Sequence, residues 1–422
     1  MFKTTLPPSR FTGSVLFKWS WLSLTIGILV GSASAFFLTS LSWVTEYRDL
    51  NNWIIIFLPI AGLCIGLAYH YWGGTANKGN NLLISEYHQP HLHIPFRMFP
   101  LVLIGTLITH LFGGSAGREG TAVQMGGTIA DQFSKRYKID SEDRKALLIM
   151  GISAGFASVF GTPLAGAIFA LEVLIIKKRQ LHLFVPSLMC AFVADITCRL
   201  WQVGHTHYEV SAPLPTLSIS LLLYTIIAGI IFGVTALLFT KTGDLFSHLF
   251  KKGIKFPPLR PFVGGVIIAS VVLISGSTRY IGLGIPTLIA SFDSQLPTYD
   301  FIAKLLLTTF TLSAGFKGGE VTPLFFIGAT LGNMLALFVP IPMSILVAMG
   351  FVAVFAGATN TPLACTVMGM ELFGVEYGIV LAIACFAAYL CSGRKGIYSA
   401  QKIGKNKRNF YFRIRKKYLR NL

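Results

Sequence analysis

Four glutamates in this chain stand where a carboxylate is costly. Glu119, Glu172, Glu320 and Glu371 each lie within or at the edge of an apolar segment, although the chain has only 17 acidic residues. An ionisable group among apolar segments of this kind marks ion or proton movement by default. Glu119 has the most telling setting, in Gly117-Arg118-Glu119-Gly120-Thr121 just ahead of the apolar run Thr121–Ile129. That predicts a place at the start of a helix, where free N–H groups and the positive dipole end favour an anion. A carboxylate there can carry a proton, and it can withdraw so that a mobile anion takes its place. The plainer alternative is a capping Glu beside Arg118. Glu172 and Glu371, each nine residues beyond a proline, read equally well as paired structural carboxylates.

These residues recur across the two halves of the chain. Gly113–Thr121 is echoed by Ser313–Pro323, and Thr162-Pro163-Leu164-Ala165 with Glu172 is echoed by Thr361-Pro362-Leu363-Ala364 with Glu371. The second match holds an offset of 199 and extends back through Gly151/Gly350, Ala154/Ala353 and Phe156/Phe355. A period this long indicates duplication rather than a solenoid, whose repeats run ~20–50 residues. Two membrane halves sharing Gly-interrupted apolar segments point to a transporter with its site where the segments meet.

The elements that must position such residues are membrane helices. Hydrophobic residues make up 53% of the chain and charged ones 12%, with mean hydropathy +0.66. Runs long enough to approach a span are Trp19–Trp43, Trp53–Trp72, Leu217–Thr240, Pro261–Ser275, Phe301–Ala314 and Pro342–Gly357. Others (Leu82–Ser85, Thr121–Ile129, Thr322–Ala329, Pro362–Phe373) are short or broken by Gly and Pro. Broken helices at membrane depth survive only inside protein or beside a polar cavity. Most of the 42 glycines are then helix-packing residues.

The net charge of +18 is uneven. Lys3, Arg10 and Lys18 precede the first apolar run, and eleven basic residues from Arg394 to Arg420 crowd the end without an acidic one. The positive-inside rule puts both termini in the cytoplasm, which explains the basic tail without nucleic acid. Ala33-Ser34-Ala35 resembles a signal cleavage site, but the apolar run continues to Leu41, predicting a retained first helix. The six cysteines read as packing residues, and no metal or cofactor motif is expected. His88, His91 and His93 fall in a short polar loop around Pro90 and are expected to be solvated. Gly113-x-Ser115-x-Gly117 formally matches a hydrolase nucleophile elbow, but it lacks the soluble strand–turn–helix context that motif needs.

Together these motifs resemble the CLC family of anion channels and anion/proton antiporters, from about Gly73 to Ala400. Gly117-Arg118-Glu119-Gly120 is similar to the family's G-[KR]-E-G-P motif, whose Glu is the external gate and proton carrier. Gly319-Glu320-Val321-Thr322-Pro323 stands in the place of G-x-F-x-P, and Arg394–Ala400 resembles the final helix whose Tyr, here Tyr398, coordinates the central anion. The family's G-S-G-I-P is absent, with Lys78-Gly79-Asn80-Asn81-Leu82-Leu83 in its place. Thr121 replaces the Pro of the second motif, and Val173 stands where chloride/proton exchangers carry an internal proton-handing Glu. These departures are similar to the bacterial fluoride/proton antiporter branch, in which Asn or Met replaces the central Ser.

The resemblance implies an all-α, multi-pass fold of many short, tilted, broken helices in two inverted halves. The expected divisions are a cytoplasmic N-terminus at 1–18, membrane halves at 19–205 and 206–400, and a basic cytoplasmic tail at 401–422. It also implies a homodimer in a bacterial plasma membrane that moves fluoride against protons. A chloride channel or chloride/proton antiporter is the alternative, and a membrane-embedded hydrolase using Ser115 is a distant one. Glu119 is the expected gate and proton carrier. Asn80, Asn81, Gly117, Arg118, Gly120, Thr121, Val321, Thr322 and Tyr398 are expected to line the anion path. Glu320 is expected to form a second proton or anion station, unless it pairs with Lys317 or caps the helix near Thr322. Fluoride's tight water shell demands short-range donors, which side-chain amides, hydroxyls and backbone N–H groups at helix starts supply.

Overall fold

A computed structural model describes residues 13–90, 93–137, 139–174 and 183–402, together with Lys407 and Tyr411. The rest of the two basic termini, and His91, lie outside the described residues. Sixteen α-helices form among those described. The first eight are α1 (Gly13–Leu50), α2 (Leu58–Ala68), α3 (Asn80–His88), α4 (Met98–Leu111), α5 (Glu119–Arg136), α6 (Ser141–Phe160), α7 (Pro163–Val173) and α8 (Phe184–Leu200). The second eight are α9 (Ile219–Gly253), α10 (Leu259–Ser275), α11 (Ile285–Asp293), α12 (Asp300–Ala314), α13 (Val321–Leu335), α14 (Met343–Thr359), α15 (Pro362–Phe373) and α16 (Gly378–Cys391). Helix by helix, the second set repeats the order of the first at an offset near 200 residues. The duplication seen in a few motifs therefore extends through the fold.

Only Phe17–Leu50, Asn52–Lys78 and Ile219–Gly253 are long and apolar enough to cross a membrane among the described residues. The apolar helices of 10–17 residues rise 1.5 Å per residue and fall short of a ~30 Å hydrocarbon core. The Trp53–Trp72 run differs from the single helix expected. It is a 3-10 turn at Asn52–Phe57, then α2 started by Pro59, then a π segment at Tyr69–Gly73 ended by the left-handed Gly74. Leu217–Thr240 is instead the front of the 35-residue α9.

The core is built on α6 and α14, which are buried on almost every face. Each packs against the helix before it through glycines. A Cβ at Gly126 or Gly151 would run into the other's carbonyl, as would one at Gly328 or Gly350. A side chain at any of the four would separate α5 from α6 or α13 from α14. Aromatic rings fill the interior, with Phe325 stacked 4.0 Å from Phe351, Phe156 4.5 Å from Phe169, and Phe156 stacked across the halves 6.3 Å from Phe355.

Glu172 and Glu371 close the arrangement reciprocally. Glu172 at the end of α7 accepts from the Leu363 and Ala364 amides (3.1 and 2.8 Å) at the start of α15. Glu371 on α15 accepts from Leu164 and Ala165 (3.0 and 2.8 Å) at the start of α7. Each half caps the other's helix, and the structural reading of this pair is the one the geometry carries.

Candidate functional site

Two helix starts meet at the centre of the molecule. Gly117 donates to the Gly319 carbonyl (2.6 Å) and Gly319 to the Gly117 carbonyl (2.7 Å), an antiparallel bridge in an otherwise helical set of described residues. The bridge needs glycine on both sides. A Cβ at Gly117 would lie 2.9 Å from Pro323, and one at Gly319 2.7 Å from the Gly120 nitrogen. Without side chains there, α5 and α13 direct their free N–H groups at one spot.

The Glu119 carboxylate occupies that spot. It is 1% exposed and accepts from the Thr322 hydroxyl through Oε1 and from the Thr322 amide (3.1 Å) through Oε2. The Arg118 amide donates to Oε2 (3.1 Å), and the Arg118 guanidinium lies 3.7 Å from Oε1. Arg118 Nε is buried without a hydrogen-bond partner. An anionic group thus sits on two backbone amides and a hydroxyl beside a guanidinium, the chemistry of an anion site filled by the protein's own carboxylate.

Two cavities approach this spot. One, of about 170 Å³, is lined by Lys78, Asn80, Gln124, Lys317, Glu320 and Tyr398 among others. The second, of about 10 Å³, is lined by Arg118, Glu119, Thr206, Tyr208, Thr322 and Phe325 among others. Gly120 lies between them. A Cβ there would be 3.1 Å from Asn80 Nδ2 and 3.8 Å from Glu320 Oε2.

The larger cavity holds three polar side chains that the protein leaves unspent. Asn80 Oδ1 is buried without a partner at the start of α3. The Tyr398 hydroxyl makes no hydrogen bond to a described group and faces the cavity. Glu320 occupies the N-cap position of α13 but makes no side-chain cap bond to the helix. Of the described groups its carboxylate takes only its own backbone N–H, and no ion pair joins it to Lys317. The two structural roles weighed for Glu320 are therefore both unfilled. Lys317 instead stacks over the Tyr69 ring, 3.8 Å from its centroid.

Other expected residues stand differently. Asn81 gives its amide oxygen to the Ala400 N–H (2.9 Å), so of the two asparagines Asn80 keeps a free amide and Asn81 anchors the Tyr398 segment. Thr121 turns away from the carboxylate and pairs with Thr106 on α4 (2.7 Å), because its position on α5 faces that helix. Val321 is buried at the first turn of α13 and lines neither cavity. Tyr398 is carried by an irregular segment after α16, not by a helix. Gly393 is left-handed, and the Ile397 amide bonds to the Ala358 carbonyl (2.8 Å) at the end of α14.

Sequence reasoning missed Gln124, Tyr69 and the free charge of Lys317, because only packing brings these residues to the cavity. It also missed Gln401, which donates to the Val173 and Thr359 carbonyls (3.2 and 2.9 Å) and seals the place beside Val173. Ser115 is fully buried, with its hydroxyl on Thr308 (2.8 Å). His93 is mostly exposed, as expected, but His88 is half-buried with Nε2 unpartnered, since α3 carries it into the packing beside Tyr87. The six cysteines are free, and no group of three or more metal-ligating side chains occurs among the described residues.

Comparison with known proteins follows the same lines. A family model described as "Voltage gated chloride channel" matches residues 61–393. A "Chloride/fluoride channel protein" of Pseudomonas syringae pv. tomato (strain ATCC BAA-871 / DC3000) is 50% identical over 396 residues, 92% of this chain and 87% of the relative. An H(+)/Cl(-) exchange transporter of Yersinia pestis bv. Antiqua (strain Angola) is 26% identical over 90% of this chain and 86% of its own. Among solved structures, a CLC-type fluoride/proton antiporter superposes with a TM-score of 0.89 at 36% identity, covering 93% of this chain and all of that one. A slow cyanobacterial Cl-/H+ antiporter shares the fold at 20% identity, with a TM-score of 0.81 over 93% of this chain and 98% of its own.

Proposed function

We propose that this chain, which belongs to the voltage-gated chloride channel family, exports fluoride in exchange for protons. The observation that carries the reading is the Glu119 carboxylate seated on the donors an anion would use, with Asn80, Tyr398 and Glu320 unspent in the cavity beyond. Protonating Glu119 removes the charge that those donors hold. Charge-assisted hydrogen bonds are roughly twice as strong as neutral ones, so the neutral acid is released more easily. A fluoride ion then takes the Thr322 and Arg118 donors, and the proton leaves with the displaced side chain. Return of the ionised carboxylate expels the anion. One site thus exchanges an anion for a proton without a second gate of the same kind.

Glu320 is the second station. Like charges facing one narrow path repel, so an anion passes most readily when Glu320 holds a proton and donates it as a hydrogen bond. Glu320 also stands in for the internal carboxylate missing at Val173, whose surroundings Gln401 closes. Asn80 in place of a Ser hydroxyl favours fluoride over chloride, since an amide can present short N–H donors to a small hard ion. The relatives are transporters, and Ser115 is committed to Thr308, so transport rather than hydrolysis accounts for the buried site.

The basic N-terminus and tail support a reading with both ends on the cytoplasmic side of a bacterial plasma membrane. Tyr398 leads directly into the tail, so the 170 Å³ cavity with exposed Asn77 and Lys78 opens on that side. The family likeness supports a homodimer with one path per copy, and halves of 19–205 and 206–400 related by an inverted two-fold.

Anion efflux from proteoliposomes, fluoride against chloride, with and without a proton gradient, tests the reading. Fluoride should leave preferentially and drive proton uptake, and Glu119→Gln should abolish proton movement. Glu320→Gln should slow fluoride flux or alter its pH dependence. Proton-coupled flux unchanged in Glu119→Gln would overturn the mechanism.

A further inference from the structure

We propose that Lys317 is the capture cation of the inner cavity, the residue that draws the anion out of the cytoplasm and delivers it to Asn80 and Glu320. The proposal rests on the anion-transport reading above and extends it to a residue outside the gate. Lys317 lies between α12 and α13 and lines the cavity that also holds Lys78, Asn80, Glu320 and Tyr398. Its position is fixed from two sides. Its backbone N–H donates to Thr109 Oγ1 (3.2 Å), and its stem packs on Gly105, where a Cβ would lie 3.0 Å from Lys317 Cγ.

Outside the Glu119 gate, where Arg118 stands, the charge of Lys317 differs from that of the structural cations. Arg144 is paired with Asp131 and Glu86, and Arg48 with Asp49 and the His110 carbonyl. Lys304 donates to the Tyr280 and Gly282 carbonyls (2.9 and 2.7 Å). Each of these satisfies backbone or carboxylate groups, which is what a structural cation does. Lys317 has no carboxylate within ion-pair range and no carbonyl acceptor, and its Nζ sits over the Tyr69 ring at 3.8 Å. A ring face attracts the ammonium but accepts none of its N–H bonds in the ordinary way, so the charge and donors remain available to the cavity.

The placement suits the cargo. An ammonium is a compact point charge, better matched to a small monatomic anion than the flat fork of a guanidinium. Lys78 is exposed, whereas Lys317 and Asn80 are half-buried in the lining of the same cavity. With Lys78 and Lys317 against the carboxyl group of Glu320 in the lining, positive charge dominates, and a cleft of one dominant sign raises the local counter-ion concentration by ~10–10³-fold. Lys317 therefore governs how much cytoplasmic fluoride is needed, while Glu119 governs turnover once the anion is inside.

The test uses the full chain in proteoliposomes, with fluoride efflux measured against internal fluoride at low and high ionic strength. Lys317→Met should raise the apparent KM for internal fluoride about tenfold, leave the maximal rate unchanged and flatten the dependence on ionic strength. Lys317→Arg should keep most of the capture. A second variant guards against misfolding. Lys317→Cys, labelled with a positively charged ethylammonium thiosulfonate, should recover a low KM, and a negatively charged ethylsulfonate label should raise it further, with unsubstituted protein given both reagents as control. Wild-type KM and salt dependence in Lys317→Met, or equal effects of the two labels, would overturn the proposal. Failure of the underlying reading looks different, because then the wild-type protein itself would show no fluoride-driven proton movement.

Discussion

Two neighbouring amides show how far a residue's role depends on what the fold asks of it. Asn80 keeps its side chain for the cavity, whereas Asn81 holds the Ala400 amide and so the segment that carries Tyr398. Asn80→Ser should lower the preference for fluoride over chloride roughly tenfold or more, since a hydrogen bond to a charged partner is worth ~1.5–3 kcal/mol. Asn81→Ala should keep the preference but lower the melting temperature and the rate. Competition flux and thermal denaturation on both variants separate the two, and a selectivity change confined to Asn81→Ala would reverse the assignment. The place of Glu119 at the start of α5 was legible because adjacent glycines and a following apolar run already describe a helix start. The choice between Asn80 and Asn81 was not, because it turns on a contact more than 300 residues away along the chain. The Thr121 hydroxyl is likewise engaged by another helix, through Thr106 on α4, a pairing that spacing along the chain does not reveal.

Among the elements, the pairing of α7 with α15 rests on carboxylates rather than on local caps. Thr162 and Thr361 precede these helices but make no side-chain cap bond, and the amides they leave free are taken by Glu371 and Glu172. Losing a cap costs about 0.5–2 kcal/mol. Glu172→Ala and Glu371→Ala should each destabilise the folded protein by about that amount, and Glu172→Gln by less because one acceptor oxygen remains. Denaturation in detergent checks this, and a loss of proton coupling at unchanged stability would instead assign these residues to transport. The repeat made the correspondence of the two glutamates visible in sequence, but not that each serves the opposite half. The composite nature of Trp53–Trp72 was hidden because hydropathy does not distinguish α from 3-10 or π turns.

At the scale of the whole molecule, Lys407 and Tyr411, the described residues beyond Lys402, are bonded to the membrane part. Lys407 donates to Asn360 Oδ1 (2.6 Å) and Ser392 Oγ (2.9 Å), and the Tyr411 hydroxyl bridges the Gly393 amide and the Leu390 carbonyl. Asn360 also donates to Gln401 (3.1 Å), so this latch reaches the segment bearing Tyr398. Burial pushes the Lys407 ammonium down from 10.5 to about 7. Between those values the released tail binds a proton that the docked tail does not, so docking tightens as pH rises above 7 and is weakest below it. Protection of the tail from protease should therefore increase from about pH 6 to about pH 9 and lose that slope in Lys407→Met. Protection that falls with pH would contradict the latch. The fold class was legible from composition and the duplicated motifs. The latch was not, because a basic tail has the same composition whether docked or free.

The exchanged glutamates also set an order on how the chain is made. The amides of Leu164 that open α7 are satisfied by a residue 207 positions later. At ~5–20 residues per second, a ribosome takes roughly 10–40 s to supply it. Through that interval the first half sits in the bilayer with a helix start lacking its partner. Nascent chains arrested before Glu371 should therefore engage membrane insertion chaperones and give them up once that glutamate emerges. Early synthesis of the second half, rather than any property of the first, would then decide how long each new molecule waits to mature.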